Sequence, residues 1–271
     1  MMTPMTQHLP DALLAALAVL AVLLSPDAAA QDRGDDPWRG GLSIAGSYNA
    51  GNLDQMQLMA RGNLSYSGEK AGNDLIVNGF RFWLKYDDAE PFTRLGDDLA
   101  VTEAPFYYFR PKLYLQGIGR YESSQLHQLD HRVSAGGGVG YTPVRREELL
   151  MRASLGVQYE HARYPGDDFR LDVTHDDGSR TVPRVALNSN GWFQVAGSPV
   201  GFRYLGYFLV NPLDPKDLRL SLDASAVLTI TRVFSAQLTA TYGYNAVVLD
   251  EVDPQDLRVT TGITLSVPQS G

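Results

Sequence analysis

Ten basic residues sit in apolar, alternating stretches: Arg61, Arg81, Lys85, Arg120, Arg132, Arg152, Arg184, Arg203, Arg219 and Arg258. Glu122, Glu160 and Asp223 occupy equivalent positions. Arginine dominates lysine by nineteen to four in the whole chain, and its rigid planar fork suits carboxylates, phosphates and crowded packing alike. If these positions share one interior, ten cations against three anions leave an excess of seven. A narrow space lined that way attracts anions. The same groups, with the many Gln and Asn, can instead hydrogen-bond to one another and fill the interior, so a passage and a plugged lumen both stand open. Trp83 and Trp192 fall on the same expected face, where they read as filling rather than as stacking surfaces for a ligand ring.

Carboxylates elsewhere cluster by segment. Asp87, Asp88, Glu90, Asp97 and Asp98 form one group, Asp167, Asp168, Asp172, Asp176 and Asp177 a second, and Asp250, Glu251, Asp253 and Asp256 a third. Hard oxygen ligands of this kind suit Ca²⁺ or Mg²⁺, but no Asp-x-Asp-x-Asp-Gly loop is present, so they read as solvated and no metal site is assigned. His127, His131, His161 and His175 lie in or beside the same long segments. Any could join a serine and an acid in a nucleophilic relay of the kind used by lipid-modifying enzymes. No Gly-x-Ser-x-Gly or His-Glu-x-x-His fixes a partner, so no catalytic residue, and no enzyme activity, is assigned.

Composition narrows the class. The 271 residues contain no cysteine, which excludes a disulfide scaffold, thiolate metal sites and a thiol nucleophile. A formal charge of −8 with no basic stripe argues against nucleic acid. The one long apolar run, Ala12 to Leu24, is short for a membrane helix. It precedes Ser25-Pro26 and then Ala28-Ala29-Ala30, a small-residue cleavage pattern. Residues 1–30 are therefore expected to be a cleaved signal peptide, 31–39 a periplasmic lead, 40–267 the folded domain and 268–271 a tail.

That domain has period two, the signature of strands whose two faces meet different surroundings. In 55–67 the even positions Met56, Leu58, Ala60, Gly62, Leu64 and Tyr66 are apolar or small, while Gln57, Arg61, Asn63 and Ser65 oppose them. Stretches 218–230 and 234–245 repeat the pattern. Runs of this length exceed the roughly 5–6 residues of an ordinary strand and match the roughly 9–11 of a tilted membrane strand. Twelve such runs are predicted, starting near residues 41, 54, 74, 102, 112, 131, 148, 183, 200, 217, 233 and 256. Short connections at 68–72, 110–111, 143–147, 197–199 and 231–232 alternate with longer ones at 87–101, 123–130, 161–182, 211–216 and 247–255. Aromatics on the apolar face should form two girdles: Tyr48, Tyr86, Tyr121, Tyr159 and Tyr244 toward the long loops, and Tyr66, Phe106, Tyr108 and Tyr141 toward the short turns.

Several short motifs carry a family resemblance. Trp38-Arg39-Gly40-Gly41-Leu42-Ser43-Ile44, Gly51-Asn52, Leu64-Ser65-Tyr66, the glycine-rich Gly136-Gly137-Gly138-Val139-Gly140-Tyr141 and Asp256-Leu257-Arg258-Val259-Thr260-Thr261-Gly262-Ile263 resemble a family labelled salt-induced outer-membrane proteins. The resemblance spans the mature chain and implies a barrel and a location, with no catalytic residue to carry over. The chain departs from many outer-membrane barrels in ending Ser266-Val267-Pro268-Gln269-Ser270-Gly271 without a terminal aromatic.

The expectation is all-β: a monomeric transmembrane up-and-down antiparallel β-barrel of about 12 strands in a bacterial outer membrane. Both termini would be periplasmic and the long loops extracellular. Outer-membrane lipid, lipopolysaccharide and, during insertion, the barrel-assembly machinery are the expected partners, and no cofactor is expected. The function expected first is a narrow Arg-lined passage for small anionic or polar solutes. The alternatives are a non-conducting structural or envelope-stress barrel with a plugged lumen and, third, a lipid-modifying enzyme.

Overall fold

Alternation over a dozen residues gives each strand two usable faces, and closing the sheet assigns one face to an interior and the other to the surroundings. The computed structural model describes residues 38–49, 54–85, 92–146, 148–173, 175–231 and 233–266, and within them twelve strands close in that way. In chain order they are β1 (Trp38–Asn49), β2 (Asp54–Ser67), β3 (Ala71–Lys85), β4 (Thr93–Arg110), β5 (Leu113–Ser124) and β6 (Leu129–Arg145). The second half comprises β7 (Leu149–Arg163), β8 (Ser179–Gln194), β9 (Val200–Asn211), β10 (Asp214–Thr229), β11 (Phe234–Asn245) and β12 (Gln255–Ser266). Every strand pairs antiparallel with its sequence neighbours, and β1 closes the barrel on β12 from Gly41↔Ser266 to Ala45↔Gly262. The expected leader at 1–30, the lead to residue 37 and the tail fall outside the described residues.

Closure needs a close approach. A Cβ on Gly262 would lie 2.6 Å from the Ala45 Cβ, so a larger residue there would push β12 off β1. Ser43 and Thr264 then bond across the seam at 2.9 Å. With no free edge, every strand has two neighbours, as a membrane-spanning sheet requires.

The outer wall is apolar and open to its surroundings. Ile44, Leu58, Leu115, Val139, Leu155, Val157, Leu187, Phe202, Leu238, Val259 and Ile263 are all exposed. In a water-soluble protein such a belt would be an aggregation surface; on a closed barrel it is the lipid-facing band of the outer-membrane architecture. Polar pairs interrupt it, among them Arg81 with Asp97 and Asn73 with Glu103.

Strands run further than alternation suggested. β4 begins at Thr93, taking Asp97 and Asp98 out of a loop, while β9 and β10 are joined only by Pro212-Leu213. Long connections among the described residues are 164–178 and 246–254. These two are stitched together: Arg170 N–H donates to the Val248 carbonyl, Asp250 N–H to that of Asp168, and Phe169 bridges Leu249. Leu129, Ala162, Tyr164, Val248, Leu249 and Val252 bury one another there, with Phe169 against them. The barrel is thus covered at one end by a small apolar core of its own.

Register corrects two inward assignments. Arg81 pairs with Leu58 and Trp83 with Met56, both on the outer face of β2, so Arg81 and Trp83 point outward. The Arg81 guanidinium lies 5.7 Å from the Trp83 ring centroid and bonds Asp97 at 2.9 Å. The cause is that β3 does not alternate: Leu75-Ile76-Val77 and Phe80-Arg81-Phe82-Trp83 are apolar on both faces, so only pairing sets the parity. The Lys85 side chain lies outside the described residues. Phe106 and Tyr108, expected in the outer girdle, instead point inward, and Tyr107 and Phe109 take the outer positions. Tyr66, Tyr121, Tyr141 and Tyr159 do lie on the outer wall, whereas the side chains of Tyr48 and Tyr86 are outside the described set.

Candidate functional site: the barrel lumen

Inward positions of β5, β6, β7, β8 and β10 carry charges that could not stay buried alone. They pair into one network. Glu122 on β5 accepts from Arg120, from Arg132 at 3.2 Å and from Arg219 at 2.9 Å. Glu160 on β7 accepts from Arg219 at 2.6 Å and Arg184 at 2.8 Å, with Arg132 at 3.7 Å. Asp217 on β10, with no exposed surface, accepts from Arg184 at 2.7 Å and Arg180 at 3.0 Å. Arg219 and Arg132 each touch both glutamates, so the network is continuous from Arg120 to Arg180.

Some of these bonds cross the lumen instead of joining neighbours. Arg219 reaches from β10 to β5 and β7, Arg152 on β7 reaches Asp74 on β3 at 3.4 Å, and Arg258 on β12 reaches Asp98 on β4 at 3.3 Å. Arg132 also donates to the Tyr164 hydroxyl at 2.8 Å, and that hydroxyl donates to the Val247 carbonyl at 3.3 Å. The charge network is thereby tied to the covering segments.

At the short-turn end, on the β4–β7 side, aromatics take over. Phe106, Tyr108 and Tyr114 form a buried cluster whose rings meet edge-on or tilted at 5.4–6.3 Å. Arg152 lies 4.3 Å from the Phe106 ring centroid and Arg145 5.1 Å from that of Tyr108, a cation–π geometry. Gly140 makes room for this: a Cβ there would stand 2.0 Å from the Tyr114 ring.

The opposite side of the lumen is open. A cavity of about 280 Å³ runs beside β10, β11, β12 and β1–β4. Along β11 its lining extends from Asn245, paired with Arg219, to Gln237, one inward step above the Ser235↔Thr229 pair that ends the ladder. Hydroxyls and an amide form its polar wall: Thr264 donates to Gln237 at 2.8 Å, Gln237 donates to Ser225 and Thr239, and Thr241 donates to Asp223 at 2.7 Å. Facing it are Arg61, Arg120, Arg219, Arg258 and Tyr207. Among these arginines, Arg61 differs in having no ion pair or hydrogen bond among the described residues.

Of the residues singled out in the sequence, Arg61, Arg120, Arg132, Arg219, Arg258, Glu122 and Asp223 line the cavity, whereas Arg152, Arg184 and Glu160 are held in the filled half. Arg203 pairs with Ser225 and Trp192 on the inner face near the short turns and is exposed. Alternation does not assign Asp74, Asp98, Asp217, Asp256 or Arg180 to the interior, yet all five pair there. Adding those four acids and Arg180 and removing Arg81 cuts the cation excess from seven to three, with Lys85 still counted.

The loop histidines do not build a nucleophilic relay. The Ser124 hydroxyl meets both His127 Nδ1, at 2.9 Å, and an Asp98 carboxylate oxygen. A relay instead needs the acid on the far nitrogen of the histidine. His127 N–H also bonds the Ser124 hydroxyl at 3.1 Å, so the arrangement is a turn cap. His131 and His161 lie on the outer face, and His175 packs on Phe169. No cluster of three or more metal-binding side chains occurs among the described residues.

No curated protein matches the sequence. Among solved structures, the translocator domain of the autotransporter NalP from Neisseria meningitidis is similar at 11% identity, over 94% of this chain and 97% of that one, with a TM-score of 0.43. The NanC porin is similar at 7% identity, over 83% and 98%, with a TM-score of 0.45. The COG4313 outer membrane channel from Pseudomonas putida F1 is similar at 12% identity, over 87% and 99%, with a TM-score of 0.42. By its own sequence, over residues 42–267, the chain belongs to the family described as "Protein of unknown function, DUF481".

Proposed function

We propose that this outer-membrane barrel is a narrow passage for small anionic or polar solutes, running along one side of a half-filled lumen. The observation that carries this reading is the lengthwise cavity beside β11. It is lined by hydroxyls on one wall and arginines on the other, while the charge network stands beside it as a fixed rail. At about 280 Å³ the space is at the low end of the roughly 300–1,000 Å³ of small-molecule sites, which favours single small solutes over oligomers. Most of the arginines are committed to carboxylates, so anion preference falls chiefly to Arg61. Vesicle swelling tests the reading: protein-loaded vesicles should admit small carboxylates faster than amines of similar size. Equal exclusion of both by folded protein would count against it.

A second reading, a non-conducting envelope barrel, draws on the cross-lumen ion pairs and the covering segments. It predicts no solute entry at all. Lipid chemistry ranks third, because Ser124, His127 and Asp98 meet without relay geometry. Lipopolysaccharide and the assembly machinery stand as the proposed partners of a monomeric barrel.

A further inference from the structure

We infer that the outer wall at the long-loop end carries a binding site for the phosphate of a membrane glycolipid, built from His131, His161 and Arg163. Register places all three on the outer face. Arg132, Glu160 and Ala162 point inward, so their neighbours point out, and His131 pairs with Arg163 while Val133 pairs with His161. The two imidazole centroids are 5.9 Å apart. His161 Nδ1 bonds the Thr181 hydroxyl at 2.9 Å. When that hydroxyl donates, the ring proton resides on Nε2 and is free to reach a ligand. Arg163 is exposed and has no ion pair or hydrogen bond among the described residues. A guanidinium flanked by two imidazoles is a donor set for an anionic oxygen cluster.

Depth selects a lipid over free phosphate. Directly below His161 on the same face of β7 come Tyr159, Val157 and Leu155, exposed by 65%, 67% and 60%. Ala135 and Gly137 pair with Tyr159 and Val157, leaving a step in the wall where an acyl chain can lie. The basic group therefore sits where the apolar band gives way to headgroups. Asp176 and Asp177, exposed just before β8, oppose an anion and set a limit on its charge density.

The inference rests on the lipid-facing reading of the wall, so flotation with phospholipid vesicles is run alongside: failure to float overturns that reading itself. The test is binding of the purified full chain to lipopolysaccharide in EDTA, which removes divalent bridges to loop carboxylates. Dephosphorylated lipopolysaccharide and inorganic phosphate serve as comparisons. Wild type should prefer the phosphorylated lipid, and the triple variant His131→Ala, His161→Ala, Arg163→Ala should weaken binding at least about tenfold while still floating. Arg163→Gln alone, at an exposed position, should give part of that loss if the triple variant misfolds. Equal binding of the dephosphorylated lipid, unchanged binding by Arg163→Gln, or full displacement by inorganic phosphate would each overturn the site.

Discussion

At the residue scale the lumen separates two kinds of arginine. Arg184 and Arg219 are held by two carboxylates each, and Glu160 is shared between them. Removing that acid leaves Arg184 with Asp217 alone and Arg219 with Glu122 alone, a buried excess of positive charge that costs up to about 3–5 kcal/mol. Glu160→Ala should therefore lower the barrel's denaturation midpoint strongly, read by heat-dependent mobility on gels. A midpoint unchanged from wild type would mean that the network is not satisfied as described. Arg61 stands apart. With no ion pair among the described residues to lose, Arg61→Ser should change stability by no more than about 0.5 kcal/mol, while anion preference falls. Replacing Arg219 would confound the two effects, because it exposes Glu122 and Glu160 to each other's charge.

At the element scale, the strands show how much was legible in the sequence. Strands β2, β10 and β11 alternate cleanly, and their inward residues could be read directly. β3 could not be read: with apolar residues on both faces, its parity depends on pairing with β2, and Arg81 was misassigned for that reason. Asp98 looks like a loop acid because β4 extends past the apolar band, where hydropathy no longer marks a strand, and Asp217 stands at the very start of its predicted run, before alternation gives it a face. Phe106 and Tyr108 look like girdle residues, yet Gly140 opens an inner space that only three-dimensional register reveals. Gly140→Val should therefore force the Tyr114 ring aside, at about 1–3 kcal/mol for overpacking, and Tyr114→Ala in the same chain should relieve most of that. Equal destabilisation with and without the Tyr114 ring would contradict the contact. Tyr164→Phe removes the hydroxyl joining Arg132 to the Val247 carbonyl. It should raise amide exchange in 246–254 with the barrel strands unaffected, and unchanged exchange there would mean the apolar cluster alone holds the cover.

At the scale of the whole molecule, a closed wall with an apolar exterior encloses a lumen that is half fixed and half open. The filled half, where Glu160 is shared by arginines from β6, β8 and β10 and Asp217 holds two arginines of β8, gives rigidity. The open half, beside β11, gives the space that the proposed function uses. Twelve strands suit that division, lying between the side-chain-filled barrels of about 8 strands and the open channels of about 16. In the proposed passage the covering segments would set access, since Tyr164 of their buried core bonds Arg132 of the network. The central claim is that a continuous, weakly anion-favouring path survives beside that network. Reversal potential in a planar bilayer under a KCl gradient tests it most directly, with wild type and Arg61→Ser measured side by side. The account predicts small discrete conductance steps biased toward chloride in wild type, with the bias reduced in the variant. Electrical silence from folded, inserted protein, or a chloride bias indifferent to Arg61, would contradict it.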